Sequence, residues 1–226
     1  MTPPTVRPSA APAPVGPDRG PPEPPTARAP LSRDWYARPV LEVARDLLGT
    51  LVVRELEGER RIGRIVEVEA YDGPHDRASH ARAGHTGRTA PMFGPPGHAY
   101  VYLVYGVHHC LNIVAHPTGS ASAVLIRALE PWSMPGAAMD PRTAAGPGLV
   151  GRWLGIDRSC SGHDLTSGHG LWLAPGSPVP DADVLTGPRI GVGYAGSAWA
   201  DLPWRFGVRG STAVSRPFPD VSARIR

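Results

Sequence analysis

The sequence contains no lysine, and all 23 of its basic side chains are arginine. Arginine stays protonated near neutral pH and presents a planar fork of donors that suits phosphate groups. The absence of lysine excludes a mechanism in which a lysine amine forms a Schiff base with the substrate. The net charge of +3 is compatible with a polyanionic partner such as a nucleic acid.

Cysteine and long apolar runs are also scarce. Two cysteines, Cys110 and Cys160, do not make a disulfide framework, and an intracellular protein is therefore favoured. No run of about 18 apolar residues could span a membrane, and the proline-rich start lacks the apolar segment of a secretory signal. We expect an intracellular protein, in the cytoplasm or nucleoid if the source is bacterial, without membrane contact.

Large apolar residues are rare in the first 30 residues, which hold 11 of the 28 prolines. Such a segment cannot bury enough surface to offset the entropy lost on ordering. We therefore predict a disordered tail at residues 1–32 and one folded domain at residues 33–216. A second disordered tail is predicted at residues 217–226.

The most informative stretch has two runs of β-branched and aromatic residues on either side of residues 105–106. This pattern predicts a strand, a tight turn and a second strand. Alternation along a strand places Tyr100 and Tyr102 on one face, and Asn112 projects from the return strand. The face is compatible with an ordinary core or with a stacking platform for a planar ligand, with Tyr105 as an aromatic wedge.

A second predicted strand carries Glu67, Glu69 and Tyr71 on one face. These residues could form a solvated edge or the wall of an active site. A third predicted strand, residues 122–130, has Arg127 in the middle of an apolar run. A buried arginine needs a carboxylate or a ligand phosphate, so a structural salt bridge and a role in the site both stay open.

The remaining pattern predicts short elements joined by long loops, of which residues 72–97 form the longest. The order of elements predicts a single α+β domain with a curved mixed or antiparallel sheet, a protruding β-hairpin and surrounding short helices. Predicted helices are residues 39–48 and 148–156, with a helical turn at 78–81. Besides the hairpin, predicted strands are residues 50–56, 62–71, 122–130, 171–173, 189–194 and 205–208.

Ten short motifs occur in a fixed order along the chain. They are residues 44–49 (ARDLLG), 67–71 (EVEAY), 79–80 (SH), 92–97 (MFGPPG), 100–106 (YVYLVYG), 110–112 (CLN), 124–131 (VLIRALEP), 146–148 (GPG), 189–193 (RIGVG) and 208–210 (VRG). Together they resemble the alkyladenine (3-methyladenine) DNA glycosylase family over nearly all of residues 33–216.

The resemblance implies a monofunctional enzyme of base excision repair. It would flip damaged purine nucleotides (alkylated, deaminated or etheno) out of duplex DNA and hydrolyse the N-glycosidic bond, leaving an abasic site. The implied partner is double-stranded DNA with damaged purines, bound by a monomer. Neither a cofactor nor a metal is expected.

The same resemblance assigns roles to individual residues. The general base falls on Glu69, the water-positioning arginine on Arg127, and the intercalating residue on Tyr105. Arg88 and Gly106 are candidate contacts to the DNA backbone. The pocket for the flipped base corresponds to Tyr71, His80, Tyr102 and Asn112, with the Asn112 amide excluding guanine. The chain departs from the family pattern at residues 86–89, Val107, His108 and Leu149, and these changes bear on DNA affinity and lesion range.

Two other functions stay open. A non-catalytic nucleic-acid-binding module would explain the tyrosines and arginines, but it gives Glu69 no purpose. A metal hydrolase would need ligands from His80, His85, His98, His108, His109 and Cys110. Adjacent His108 and His109 point to opposite faces of a strand, and neither Cys-x-x-Cys nor His-Glu-x-x-His spacing occurs.

A phosphate-contacting surface is a further possibility, set against scattered surface charges. Its members would be Arg88, Arg189, Arg205 and Arg209.

Overall fold

The computed structural model describes residues 29–132 and 140–219. In this part of the chain an eight-stranded antiparallel sheet carries a few short helices. The α-helices are α1 (Arg33–Tyr36), α2 (Val40–Leu47), α3 (Pro147–Leu154) and α4 (Ser197–Ala200). The strands are β1 (Leu51–Leu56), β2 (Glu59–Tyr71), β3 (Ala99–Val104), β4 (His108–Ala115), β5 (Ser122–Pro131), β6 (Leu171–Ala174), β7 (Val184–Gly187) and β8 (Arg205–Val208).

Short 3₁₀ turns complete the secondary structure of these residues. They are His80–Ala83, Ala90–Phe93, Arg158–Cys160, Asp181–Asp183 and Gly193–Ala195. Within the described ranges, no helix combines the length and the apolar character needed to cross a membrane.

The long strand β2 is the centre of the sheet. The strand order is β3-β4-β5-β2-β1-β6, and the far half of β2 pairs with β8, which in turn pairs with β7. The pairing of β2 with β5 is irregular: Glu67 lies opposite Ala128 and Val68 opposite Ile126, so the register passes over Arg127. Irregularities of this kind bend a strand and redirect a side chain.

Helix α2 covers one face of the sheet because its apolar residues recur at helical spacing. The predicted stripe of Val40, Val43, Leu47 and Leu48 is buried in the main core. Burying one such side chain fully contributes about 1.5–3 kcal/mol relative to exposure. The helix therefore derives its stability from packing rather than from its eight-residue length.

The hairpin of β3 and β4 forms as predicted. Tyr100 lies opposite Asn112 and Tyr102 opposite Cys110. The backbone turns between the strands with φ of 51° at Tyr105 and 72° at Gly106. Positive φ at both central residues is what the tight primed turns of hairpins require. For a tyrosine this conformation costs about 1–2 kcal/mol, so local stability does not explain its presence.

The α+β class with a protruding hairpin is confirmed, and so are both long predicted helices and most strands. The predicted strand at residues 189–194 is wrong. The strand lies earlier, at β7, and Gly191 has a φ of 78° that interrupts an extended chain. The solvated edge considered for β2 is excluded because Glu67 and Glu69 are fully buried between neighbouring strands.

The predicted tails, residues 1–32 and 217–226, fall mostly outside the described residues and stay predictions, as does the domain boundary between them. Two residues of the predicted tails, Leu31 and Phe218, lie close to the domain and pack on it. The N–H of Leu31 donates to the carbonyl of Leu173 at 2.8 Å. The ring centre of Phe218 lies 3.8 Å from the guanidinium carbon of Arg205.

Helix α3 approaches strand β4 closely at Gly151. A Cβ atom placed there would lie 2.0 Å from the carbonyl oxygen of His109, which is a backbone atom and cannot rotate away. The neighbour of His109 in β4 is Cys110, which lines a pocket beside the hairpin. Because Gly151 has no side chain, α3 can pack this closely against β4.

We predict that Gly151→Ala destabilises the protein by about 1–3 kcal/mol, because the methyl group overpacks the contact between helix and strand. Helix propensity alone would favour alanine by about 1 kcal/mol, so the expected sign is opposite. Urea unfolding monitored by circular dichroism measures the difference. Arg152→Ala on the exposed side of the same helix is the control and should change stability by less than about 0.5 kcal/mol. A more stable Gly151→Ala protein would contradict the close approach.

Candidate active site

A pocket of ≈ 480 Å³ opens beside the β3–β4 hairpin. This volume lies in the range of sites that hold small molecules. The long loop after β2 and the segment around Val192 complete its walls. Predicted site residues that line it are Tyr71, His80, Arg88, Tyr102, Tyr105, Asn112 and Arg127. Glu69 and Gly106 are predicted site residues outside the lining.

The side walls of the pocket are aromatic. The ring of His80 lies 4.5 Å from that of Tyr102, nearly perpendicular to it, and Tyr102 lies 5.5 Å from Tyr100. His80 Nδ1 is 3.0 Å from the Tyr100 hydroxyl. Ring faces and edges arranged in this way suit a planar aromatic ligand.

The polar side chains of these walls are uncharged at neutral pH. Burial, assisted by the positive charges of Arg88 and Arg82, lowers the pKa of His80 to about 4. Burial raises the pKa of the Tyr102 hydroxyl, and burial together with Glu69 raises the pKa of Tyr71. A ligand in the pocket therefore meets a neutral imidazole and protonated phenols.

Asn112 is buried at the base of the hairpin. Its Nδ2 donates to the carbonyl of Tyr100 at 3.1 Å and approaches that of Cys110 at 3.4 Å. These contacts hold the amide nitrogen toward the backbone. The orientation of the side chain in the lining is therefore fixed by its own hairpin.

Glu69 lies behind the pocket rather than in its lining. Its Oε1 accepts from the backbone N–H of Ile190 at 2.7 Å and pairs with Arg127 Nη1 at 3.1 Å. Its Oε2 accepts from the Tyr71 hydroxyl at 2.8 Å. A carboxylate oxygen accepts two hydrogen bonds, so Oε2 retains one lone pair without a donor among the described residues. Tyr71 and Arg127, which do line the pocket, connect the carboxylate to it.

Arg127 is held by a second buried carboxylate, Glu67. Arg127 Nε donates to Glu67 Oε1 at 2.9 Å, and Arg205 Nη1 donates to the same oxygen at 3.0 Å. The hydroxyl of Ser215 accepts from Arg127 Nη2 at 3.0 Å and donates to Glu67. Burial alone would lower the pKa of Arg127, but Glu69 and Glu67 raise it above the ordinary value. The structural salt bridge considered for Arg127 is confirmed.

A further buried ion pair supports the outer side of Tyr71. Arg189 donates to Asp76 at 2.5 and 3.1 Å, and both side chains are inaccessible to solvent. The guanidinium carbon lies 4.8 Å from the centre of the Tyr71 ring and 5.0 Å from that of Trp204. Arg189 thus fixes the ring of Tyr71 and the start of the segment whose Ile190 N–H contacts Glu69.

The possible phosphate-contacting surface is therefore wrong for Arg189 and Arg205, because both guanidinium groups are buried and paired. Sequence reasoning missed their role, although a signal existed. Each arginine stands beside apolar residues, as Arg127 does, and the same argument about buried arginine applies to them.

Exposed apolar side chains collect around the mouth of the pocket. Tyr105 is 92 % exposed at the hairpin tip, and Val107 beside it is 70 % exposed. Tyr194, 59 % exposed, lines the pocket as well, and its hydroxyl donates to the carbonyl of Ala78. Such a patch around a pocket is typical of an interaction surface. The sequence pattern identified Tyr105 but not Tyr194.

Candidate metal ligands do not come together in the described ranges. No group of three or more His, Cys, Asp or Glu residues there is placed to hold a metal ion. His80 contacts the pocket tyrosines, whereas His85 stacks against Phe93.

Comparison with known proteins is consistent with this geometry. The sequence profile of the methylpurine-DNA glycosylase family matches residues 34–212. A protein of Anaeromyxobacter dehalogenans strain 2CP-1 is 54% identical over 194 residues, which cover 85% of this chain and 89% of the relative. A protein of Myxococcus xanthus is 52% identical over 191 residues, covering 84% and 95%. One of Streptomyces avermitilis is 45% identical over 200 residues, covering 83% and 92%. All three relatives carry the provisional name 3-methyladenine DNA glycosylase.

We predict that His80 stays neutral down to about pH 4. In the unfolded chain the imidazole protonates near its usual pKa of 6.5, so the unfolded state binds more protons between pH 6.5 and 4. The stability associated with neutral His80 is therefore complete above pH 6.5 and is lost as the pH falls toward 4. Urea unfolding of the native protein and of His80→Gln across this range should show the difference between them shrinking with acid. A His80 imidazole that titrates near pH 6.5 by NMR would contradict the prediction.

Proposed function

The chain belongs to the methylpurine-DNA glycosylase family, and on this basis we propose a monofunctional DNA glycosylase that acts as a monomer on duplex DNA with damaged purines. Membership of the family assigns the protein to the hydrolases of DNA repair that cleave N-glycosidic bonds. Base flipping, the catalytic roles and the absence of strand cleavage are our proposals.

The observation that carries the proposal is the setting of Glu69. Its carboxylate is fully buried, yet it is hydrogen-bonded to two side chains that line the pocket, Tyr71 and Arg127. A buried carboxylate held ionised by an arginine is suited to accept a proton from water. The free lone pair of Oε2 is the position at which we place this water. It would enter between Tyr71 and Arg127.

The proposed reaction exchanges one bond at the anomeric carbon for another. The bond from C1′ to the purine nitrogen breaks, and its electron pair leaves with the base. The sugar passes through an oxocarbenium-like state that the Glu69 carboxylate stabilises. Water then forms the new C1′–O bond and transfers a proton to Glu69. A cationic base leaves as a neutral molecule, whereas a neutral base must also acquire a proton.

The nucleotide must leave the helix before this chemistry can occur. Extruding a base costs a few kcal/mol, and less when the base is damaged or mispaired. We propose that Tyr105 fills the gap in the base stack, because its side chain is exposed at the tip of a tight, hydrogen-bonded turn. Gly106 beside it leaves room for the DNA backbone.

The flipped purine would bind between the aromatic walls of the pocket. Stacking on Tyr71 and Tyr102 contributes roughly 1–3 kcal/mol per base, and His80 would line an edge. Asn112, held by its own hairpin, would clash with the exocyclic amino group of guanine. The aromatic rings and the neutral imidazole of His80 exclude water from the faces of the base.

We predict that Glu69→Gln lowers the single-turnover rate of base release by a factor of about 10² to 10⁴. Binding of lesion-containing DNA should persist. The glutamine is isosteric: its carbonyl can accept from Arg127 and Ile190, and the Tyr71 hydroxyl can rotate to accept from the amide nitrogen. Gel electrophoresis after alkali treatment measures the rate, and fluorescence anisotropy measures the binding.

Glu130→Gln is the matched control for this variant. Glu130 pairs with Arg64 and accepts from Ser211, and none of these residues lines the pocket. Its rate should stay near that of the native protein. A Glu69→Gln protein with near-normal cleavage would overturn the assignment of the base. Binding of lesion DNA without base release by the native protein would favour the non-catalytic module instead.

We also predict an intact abasic site as the product. Cleavage of the strand by β-elimination needs an amine that forms a Schiff base with the opened sugar. The chain has no lysine, and its remaining amine, the α-amino group, begins the tail that the sequence predicts to be disordered, in which nothing would orient it toward the sugar. Enzyme incubated with lesion DNA and borohydride should therefore give no covalent adduct on a denaturing gel. Strand breaks at the rate of enzyme turnover, without alkali, would contradict a water mechanism.

A further inference from the structure

Arg88 places an unpaired positive charge at the pocket. It follows the 3₁₀ turn His80–Ala83 and its exposed side chain lines the cavity. The guanidinium carbon lies 5.5 Å from the centre of the Tyr102 ring, within the distance of a cation–π interaction. Across residues 29–132 and 140–219, Arg88 forms no ion pair with a carboxylate.

Two other pocket residues respond to this charge. Burial raises the pKa of the Tyr100 hydroxyl, and the positive charge of Arg88 opposes this shift. The same charge contributes to the low pKa of His80, after burial itself. The guanidinium group therefore contacts the ring of Tyr102 and acts electrostatically on Tyr100 and His80, although its side chain is exposed.

The other polar groups of the cavity do not offset this charge. Arg127 is neutralised by Glu67 and Glu69. Burial raises the pKa of the Cys110 thiol to about 11, so it stays protonated at neutral pH. Arg82 carries a second charge nearby, but its guanidinium lies over the ring of Tyr194, at 5.4 Å.

Damaged purines fall into two electrostatic classes. A purine methylated at a ring nitrogen carries a positive charge while it is attached to the sugar, whereas an etheno adduct is neutral. An aromatic face stabilises a cation, but one face of Tyr102 already carries the guanidinium of Arg88. A cationic base would therefore gain less from this ring than a ring without a bound cation would give, and it would be repelled by the guanidinium.

We propose that Arg88 is a specificity-determining residue that disfavours cationic purine lesions relative to neutral ones. This inference rests on the proposed function. It differs from a role of Arg88 in contacting the DNA backbone, because a phosphate contact strengthens the binding of every lesion equally. The ratio of kcat/KM for a cationic lesion to kcat/KM for a neutral lesion therefore separates a role in specificity from a contact with the DNA backbone.

The experiment compares Arg88→Met with the native protein on duplexes that contain 3-methyladenine or 1,N⁶-ethenoadenine. Both bases lack a 2-amino group, so Asn112 treats them alike. The kcat/KM for the cationic lesion divided by that for the neutral lesion should rise about fivefold in Arg88→Met at low ionic strength. The rise should shrink at high salt, which screens exposed charges.

Two variants serve as controls. Arg88→Lys keeps the charge and should keep the ratio within about twofold of the native value. Arg77→Met removes one charge from the same loop, where Arg77 is exposed and the described residues give it no ion pair or ring contact. Arg77→Met should at most weaken DNA binding, and the ratio of kcat/KM for the two lesions should stay unchanged.

An equal loss of activity on both lesions in Arg88→Met would show a backbone contact alone and overturn the inference. A fall in the ratio would also overturn it. Failure of the native protein to release either base would instead refute the proposed function, so the two failures are distinguishable.

Discussion

The buried carboxylate of Glu67 is the interaction on which the rest of the site depends. A charge removed from water is tolerated only when donors surround it, and Glu67 receives two arginines and a serine from three separate segments. Because Glu67 binds Arg127 through Nε, the Nη1 atom of that arginine stays available for Glu69. The second carboxylate can therefore pair with the arginine without being its main structural partner.

The bend in β2 explains how Glu67 and Glu69, on one strand face, have different surroundings: Glu67 lies in the interior and Glu69 lies next to the pocket. The register passes over Arg127, and beyond that point β2 pairs with β8 instead of β1. Glu67 thus faces the interior where β8 supplies Arg205, whereas Glu69 and Tyr71 approach the pocket. The Asp76–Arg189 pair holds the opposite side of the Tyr71 ring. The Tyr71 ring, which is proposed to stack on a base, is in this way fixed from behind by an ion pair that does not itself line the cavity.

Local patterns were sufficient for much of this arrangement. The hairpin was predictable because β-branched and aromatic runs flank a glycine, and alternation correctly placed Tyr100 and Tyr102 together. The motifs assigned Glu69 and Tyr71 to a site, and the structure places Tyr71 in the pocket lining with Glu69 hydrogen-bonded behind it. The location of Glu69 behind the lining was not predictable, because it depends on contacts with Ile190 and Arg127, far away in sequence. For the same reason Arg189 was mistaken for a strand residue: its partner Asp76 is 113 positions away.

The serine that completes the Glu67 cluster has a consequence for how the protein is made. Ser215 is 88 positions beyond Arg127 and 148 beyond Glu67. A ribosome needs roughly 5–20 s to add the intervening 88 residues at typical rates of elongation. During that interval Glu67 lacks Ser215, whose backbone N–H and hydroxyl both donate to its carboxylate in the folded protein. A chain whose translation stops before Ser215 would thus bury this carboxylate without two of its donors, at a cost in stability.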